Sequence, residues 1–295
     1  MTNDVTIVIP THTTAHYMLQ DCVKNIRDTT GLEPFVCEDK GNVSVARNRA
    51  MRECSTEWVC FVDTDAFPQG KNWINTLITT TERMGASICQ PSEVSEFGQV
   101  HVRSECELSE PLLIENPTNC AGMCLLVKRA DCAGLFDEHC GLTAGFLGPC
   151  IEDTDFALHA GHLGLKMVYD PRVEALHKDR GAATLDTWRE TDEHAAYRIM
   201  NLMLKAKWNS ADDSFRAGFF SGIGMVPAKD QRTLADGYGR DDLLACYAPM
   251  IERFPEASRA PVQRFLEMTI AGETFGGVPG RDPRLQADCK PPASP

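Results

Sequence analysis

The stretch Trp58-Val-Cys-Phe-Val-Asp-Thr-Asp-Ala-Phe67 constrains this chain more than any other. Trp58 to Val62 are apolar without interruption and, but for Cys60, β-branched or aromatic, the composition of a strand. An unbroken run, unlike an alternating one, suits a strand covered on both faces, as in a mostly parallel α/β sheet. It stops abruptly at Asp63-Thr64-Asp65. On an extended backbone, side chains two apart point the same way, so both carboxylates are expected to leave the strand's C-terminal end together. That end is where open α/β sheets bind ligands. Two like charges held close call for a cation beside them, and hard oxygen donors suit Mg²⁺ or Mn²⁺. Alone, the tripeptide reads better as a solvated acidic turn; its surroundings reverse that preference.

Upstream, Val5 to Ile9 form a strand stopped by Pro10-Thr11, and Leu19, Cys22, Val23 and Ile26 recur at helical spacing. Glu33 to Cys37 make a second strand ending in Glu38-Asp39. Gly41-Asn42 then turns into a helix carrying Val43, Ala46, Ala50 and Met51. The resulting β-α-β-α-β order implies right-handed crossovers and a parallel sheet. Downstream come a helix over about Asn72 to Met84, a strand at Ser87 to Gln90, and a polar, irregular segment 94–116. A strand from Gly122 to Val127, a helix opened by Glu152-Asp153-Thr154-Asp155, and a strand segment ending at His177 complete the pattern. Beyond Arg180 the strand signals fade into amphipathic helical periodicity, including Ala195, Ile199, Leu202, Met203 and Ala206. The expected organisation is an α/β domain over 1–180 and a helical extension over 181–295. That extension would line the ligand site or mediate homo-oligomerisation, and its Pro-rich tail 290–295 is expected to be disordered.

Charge narrows the partners. With 29 Lys and Arg against 42 Asp and Glu, the net charge is −13, which disfavours generic binding to nucleic acid or anionic lipid. No run is long enough for a membrane span, and no signal peptide precedes the first strand, so a cytoplasmic location is expected. The 13 cysteines are scattered, include no CxxC pair and mostly lie in apolar settings. They read as reduced core residues rather than a zinc site or a disulfide framework.

The ordered set Val5-to-Thr11, Asp39, Val45-Ala-Arg-Asn48, Phe61-Val-Asp-Thr-Asp65, Phe136-Asp-Glu138, Glu152-Asp-Thr-Asp-Phe156 and His177 resembles the GT-A glycosyltransferases, family 2 most closely. The resemblance covers about residues 4–180. It implies a Rossmann-like, mostly parallel sheet flanked by helices, with a DxD motif, followed here by the helical extension. The chain departs from the pattern at Glu38-Asp39-Lys40, where Asp-Asp-Gly-Ser is usual, which implies a trimmed nucleotide pocket. Carried over residue by residue, the resemblance implies that Pro10 and Thr11 line the base pocket. Asp39 would accept a hydrogen bond from a ring N–H of uracil or guanine. Arg47 would lie near the nucleotide. Asp63 would face the ribose or the metal, and Asp65, with His177 as a neutral imidazole, would hold Mn²⁺ or Mg²⁺. Asp153 would be the general base, Asp155 its rival, and Glu152 would bind the acceptor or tune Asp153.

The implied function is metal-dependent transfer of a sugar, with inversion, from a nucleotide-diphosphate sugar to a hydroxyl acceptor. A UDP-sugar is the favoured donor and a GDP-sugar the alternative. The acceptor stays open, a saccharide foremost, with a hydroxylated nucleobase or a protein also compatible. Two other functions compete. A nucleotidyltransferase would need a glycine-rich phosphate loop after strand one, where this chain has Pro10-Thr-His-Thr-Thr14. A catalytically dead glycan-binding protein would be expected to have lost part of the acidic set.

Overall fold

The computed structural model describes residues 4–11, 17–39, 43–95, 109–117, 119–138 and 152–178, with Gln263 alone beyond them. The chain divides into two compact units. The first comprises Met1–Cys140, Glu152–Gly181 and Pro279–Pro295. The second comprises Gly141–Ile151 and Ala182–Val278. The expected helices beyond Arg180, and most of the 94–116 segment, lie outside the described residues. Among the described residues no helix is long and apolar enough to cross a membrane.

The elements run β1 (Val5–Thr11), α1 (Leu19–Thr30), β2 (Phe35–Glu38), α2 (Val43–Glu53), β3 (Trp58–Val62), β4 (Ala66–Pro68) and α3 (Trp73–Arg83). Then come β5 (Ile88–Ser95), β6 (Leu112–Ile114), β7 (Cys124–Lys128), α4 (Arg129–Cys132), α5 (Glu152–His162) and β8 (Met167–His177). The α1 helix ends where Gly31 takes a left-handed φ of 73° and donates its N–H to the Arg27 carbonyl, a conformation glycine adopts without steric cost.

One sheet joins all the strands in the order β2-β1-β3-β7-β5-β8-β4, with β6 also paired to β8. The β1 strand runs parallel to β2 and β3, and β5 parallel to β8. The sheet is nonetheless mixed. The β7 strand lies antiparallel between β3 and β5, and β4 and β6 run antiparallel to β8. The five strands β1, β2, β3, β5 and β8 share one direction, so the parallel character expected from the sequence holds for the strands that carry the crossover helices.

Helices cover both faces, and β3 shows why its sequence is apolar throughout. Trp58, Cys60 and Val62 pack with Leu19, Val23 and Ile26 of α1 and Trp73, Leu77 and Ile78 of α3. Val59 and Phe61 turn to the other face, against Ala46, Ala50 and Met51 of α2 and Phe156, Ala157 and Ala160 of α5. A strand with a helix layer on each side has no solvent face to mark with polar residues. The described cysteines Cys22, Cys37, Cys54, Cys60, Cys89, Cys120, Cys124 and Cys132 are all buried thiols, as small core residues should be.

The β8 strand runs without a break through Pro171. A bulge absorbs the proline: Pro91 stands opposite Asp170, whereas the next residue, Ser92, stands opposite Glu174. Proline cannot donate to a ladder, and a bulge is where a strand tolerates it. Pro10 is accommodated differently. The β1–β3 register ends at Val8 opposite Phe61, so Pro10 pairs only along the β2 side, opposite Cys37.

Candidate functional site

The site forms where β3 ends. The backbone does not stay extended through Asp63-Thr64-Asp65; it folds into a turn in which Ala66 N–H donates to the Asp63 carbonyl at 3.0 Å. The chain then re-enters the sheet as β4. This overturns the expectation that the two carboxylates leave together, because the turn sends them to different partners.

Asp63 goes to Arg47. The guanidinium of Arg47, only 1% exposed, donates from Nη2 to Asp63 Oδ1 at 3.3 Å and to the Gly122 carbonyl at 3.2 Å, and from Nη1 to Glu152 Oε1 at 2.8 Å. Its carbon lies 5.3 Å from the Phe136 ring centre and 5.9 Å from that of Phe61. Burial alone would disfavour the charge, but Asp63, Glu152 and Asp153 more than offset it, and Arg47 is held protonated more firmly than usual. One guanidinium thus ties the acidic turn to the first residue of α5. The expected place for Arg47 was beside a nucleotide; its side chain is instead inside the wall of the site.

The following residues of α2 brace other parts of the rim. Asn48 Nδ2 donates to the Phe136 carbonyl at 2.8 Å and to Glu138 Oε1 at 3.1 Å, fixing the Phe136-Asp-Glu138 turn. Arg49 Nη2 donates to the Glu38 carbonyl at 2.5 Å, with Nη1 3.9 Å from Asp39. Asp39 N–H in turn donates to the Thr11 carbonyl at 2.8 Å, so the ends of β1 and β2 that carry Pro10, Thr11 and Asp39 are joined.

At α5, helical geometry separates the three acids. Glu152 is buried on Arg47, and Asp155 is completely buried. Asp153 is only partly covered. Its Oδ2 accepts the Gly122 N–H at 3.1 Å, and its Oδ1 accepts the Thr154 N–H at 2.7 Å. Burial, and then the neighbouring Glu152, raise its pKa to about 7, with Arg47 pulling the other way. A carboxyl at that value is suited to take up a proton near neutrality. Asp155, the rival for that role, has no solvent-facing surface. Gly122 is crowded on its side-chain side, since a Cβ there would stand 2.9 Å from Arg47 Nη2 and 3.2 Å from Asp153 Cβ.

Asp65 goes to His177. Because β4 pairs with β8 at Ala66 opposite His177, the last residue of β8 is delivered beside the turn. His177 Nε2 lies 3.3 Å from Asp65 Oδ2, and Lys178 N–H donates to the Asp65 carbonyl at 2.8 Å. The other ring nitrogen, Nδ1, lies 2.7 Å from Glu93 Oε1. Burial works against protonation, but the hydrogen bonds to Asp65 and Glu93 outweigh it and raise the imidazole to about 10. Both ring nitrogens of His177 thus face carboxylates, where the sequence led to the expectation of a neutral imidazole as a metal ligand. Sequence reasoning missed Glu93, and its partner is so distant in sequence that no local signal could mark it.

The donors here fit a hard divalent cation. In octahedral coordination at about 2.1 Å, two adjacent ligands lie about 3 Å apart, close to the 3.3 Å between Nε2 and Asp65. No three His, Cys, Asp or Glu side chains converge as a complete ligand group among the described residues. The protein would thus offer few ligands, leaving positions for water and phosphate oxygens, as Mg²⁺-type ions prefer. The histidines at 159 and 162 form no such site: His159 Nδ1 is bonded to the Leu135 carbonyl at 3.2 Å, and His162 is exposed.

No protein-family model matches the chain, and no curated protein matches it significantly. Solved structures do. The crystal structure of S. aureus TarS 1-349 in complex with UDP-GlcNAc matches with a TM-score of 0.57 at 11% identity, over 92% of this chain and 88% of that one. The crystal structure of S. aureus TarS matches with a TM-score of 0.52 at 12% identity, over 91% of this chain and 53% of that one. The fold is that of the GT-A glycosyltransferases.

Proposed function

We propose that the protein is a cation-dependent glycosyltransferase that moves a sugar from a nucleotide-diphosphate donor, a UDP-sugar foremost, to a hydroxyl acceptor. The observation that carries this reading is the buried Arg47, which holds Asp63 of the acidic turn and Glu152 at the head of α5 on one guanidinium. A donor-binding strand end and a partly exposed carboxylate near neutrality are thereby fixed within one residue of a common brace. Transfer at an anomeric carbon needs those two components together. TarS, whose fold this chain shares, was crystallised with UDP-GlcNAc, which supports a UDP-linked donor.

In the proposed reaction, Pro10 and Thr11 border the base, and Asp39, steadied by Arg49, accepts the ring N–H. Asp65 and His177 would hold Mn²⁺ or Mg²⁺, with Asp63 on the ribose side. Bound there, the cation supplies the charge that stabilises the departing diphosphate. Asp153 accepts the proton of the acceptor hydroxyl as that oxygen bonds to the anomeric carbon. The bond from that carbon to the donor phosphate breaks on the opposite side, so configuration inverts. The N–H groups of Gly122 and Thr154 keep Asp153 oriented, and Glu152 holds its pKa up. Residues 181–295 would serve acceptor binding or homo-oligomerisation.

The test is a panel of nucleotide sugars incubated with the purified protein with and without Mn²⁺. Donor hydrolysis or transfer that requires the cation is expected, greatest with a UDP-sugar. Release of pyrophosphate from a nucleoside triphosphate, with the nucleotidyl group passed to an added sugar phosphate, would instead support nucleotidyl transfer.

A further inference from the structure

We infer that Glu93 is a positioning residue of the cation site: its carboxylate accepts the Nδ1 proton of His177 and so leaves Nε2, on the Asp65 side of the ring, as the nitrogen that ligates. The inference rests on the cation reading above and adds a residue to it.

Three observations carry it. The first is contact, with Glu93 Oε1 2.7 Å from His177 Nδ1 while Nε2 faces Asp65. The second is burial. The Glu93 side chain is only 8% exposed on an inner strand, a position that costs free energy for a carboxylate unless a charged or hydrogen-bonding partner compensates. The third is register. Carried on unchanged from Pro91 opposite Asp170, the β5–β8 ladder would set Glu93 opposite Arg172. The bulge around Pro171 instead sets Glu93 opposite Ala175 and Ser95 opposite His177. Positions 93 and 95 share a face, so the bulge makes Glu93 and His177 diagonal neighbours on one side of the sheet, within reach of long side chains. The irregularity in β8 thus has a consequence at the site: it brings this carboxylate to this imidazole.

A histidine that ligates a metal through one nitrogen needs the proton on the other, and a carboxylate at that second nitrogen fixes both the tautomer and the ring plane. Glu93 stands where that function requires, while Asp65 stands at the nitrogen left to ligate.

The test follows Mn²⁺ uptake by electron paramagnetic resonance, with UDP present, in the full-length protein. Glu93→Ala should weaken Mn²⁺ binding about 10–100-fold. Glu93→Gln, which keeps an acceptor oxygen, should lose less. Glu93→Met, apolar and of similar length, replaces the alanine variant should that fail to fold. In the Mg²⁺-loaded protein, nitrogen NMR should find the His177 proton on Nδ1 in the native chain, and that preference should be lost without the carboxylate. Native Mn²⁺ affinity in Glu93→Ala or Glu93→Met would overturn the inference while leaving the cation reading standing. Glu93→Gln as weak as the apolar variants would also overturn it, since an acceptor oxygen at Nδ1 would then not be what positions the ring. No Mn²⁺ uptake by the native protein, or undiminished uptake in His177→Ala, would overturn the cation reading and this inference with it.

Discussion

Two bridges of the same form stand side by side in this site. In one, Asp63 and Glu152 flank Arg47; in the other, Asp65 and Glu93 flank His177. Each joins one acid of the Asp63-Thr64-Asp65 turn, through a nitrogenous side chain, to a buried glutamate on another element. They differ in the middle group. A guanidinium does not lose its proton in a protein, so the first bridge is a permanent brace. An imidazole can give up a proton and offer a lone pair, so the second bridge is the one a metal ion can enter. The comparison divides labour within the Asp63-Thr64-Asp65 turn: Asp63, with its side chain 32% exposed, is tied to the scaffold, and under the proposed function Asp65 is the acid left for the cation. Likeness of sequence motif had assigned them more similar tasks.

The largest effect should come from breaking the permanent brace. Arg47→Met would leave the Glu152 carboxylate buried with no counter-charge, and removing one partner of a buried pair costs about 3–5 kcal/mol. Thermal unfolding should drop by roughly 10 °C in a protein of this size. The double variant Arg47→Met with Glu152→Gln should recover part of that loss, because the stranded charge is gone. A single variant with native stability would contradict the brace.

Next is Asp153, which leans on that brace without being part of it. Asp153→Asn should lower turnover by about 10²–10⁴-fold while leaving donor binding nearly unchanged. In the native protein, kcat/KM should fall about tenfold per pH unit below about 7, as the carboxylate takes up a proton. Stability should move the other way. A carboxyl held above its ordinary value of 3.8 contributes stability that is present at low pH and is lost as the pH rises through about 7. Asp153→Asn should therefore melt higher than the native protein at pH 8, by a few degrees, and the gap should close toward pH 5. Equal melting at both values would remove the strained-base account.

A smaller effect belongs to Gly122, where the brace and the base meet. Gly122→Ala introduces a Cβ 2.9 Å from Arg47 Nη2. Overpacking of this kind costs about 1–3 kcal/mol, and turnover should fall with stability because Asp153 shifts as well. A variant that loses stability but keeps native turnover would separate Gly122 from the base.

What could be read in the sequence followed from proximity along the chain. The β1 to β3 crossover order and its helices were legible because each strand is a continuous apolar run and each helix keeps its period. Asp39, Asp153 and His177 stand out as candidates because they follow strands or open a helix in a recognisable order. The rest depended on long-range pairing, which leaves no local mark. The β4 strand is three residues long and exists because β8 returns to pair with it. The antiparallel β7 wedge between β3 and β5 has the same apolar composition as a parallel strand. Glu93 sits in a polar stretch and acquires meaning only through the bulge at Pro171. Arg47 reads as a nucleotide-facing residue because a helix carries no sign of which of its polar positions faces inward when the partner acids are elsewhere in the chain.

The central claim is that the cation belongs to the Asp65–His177 bridge, not to the Asp63–Arg47 one. The most direct measurement is calorimetric titration of Mn²⁺ and UDP into Asp65→Ala, with Asp63→Asn beside it. The account predicts that cation-dependent nucleotide binding disappears in Asp65→Ala, with the fold retained, and survives in weakened form in Asp63→Asn. Undiminished Mn²⁺-dependent binding in Asp65→Ala, with its loss confined to Asp63→Asn, would contradict it.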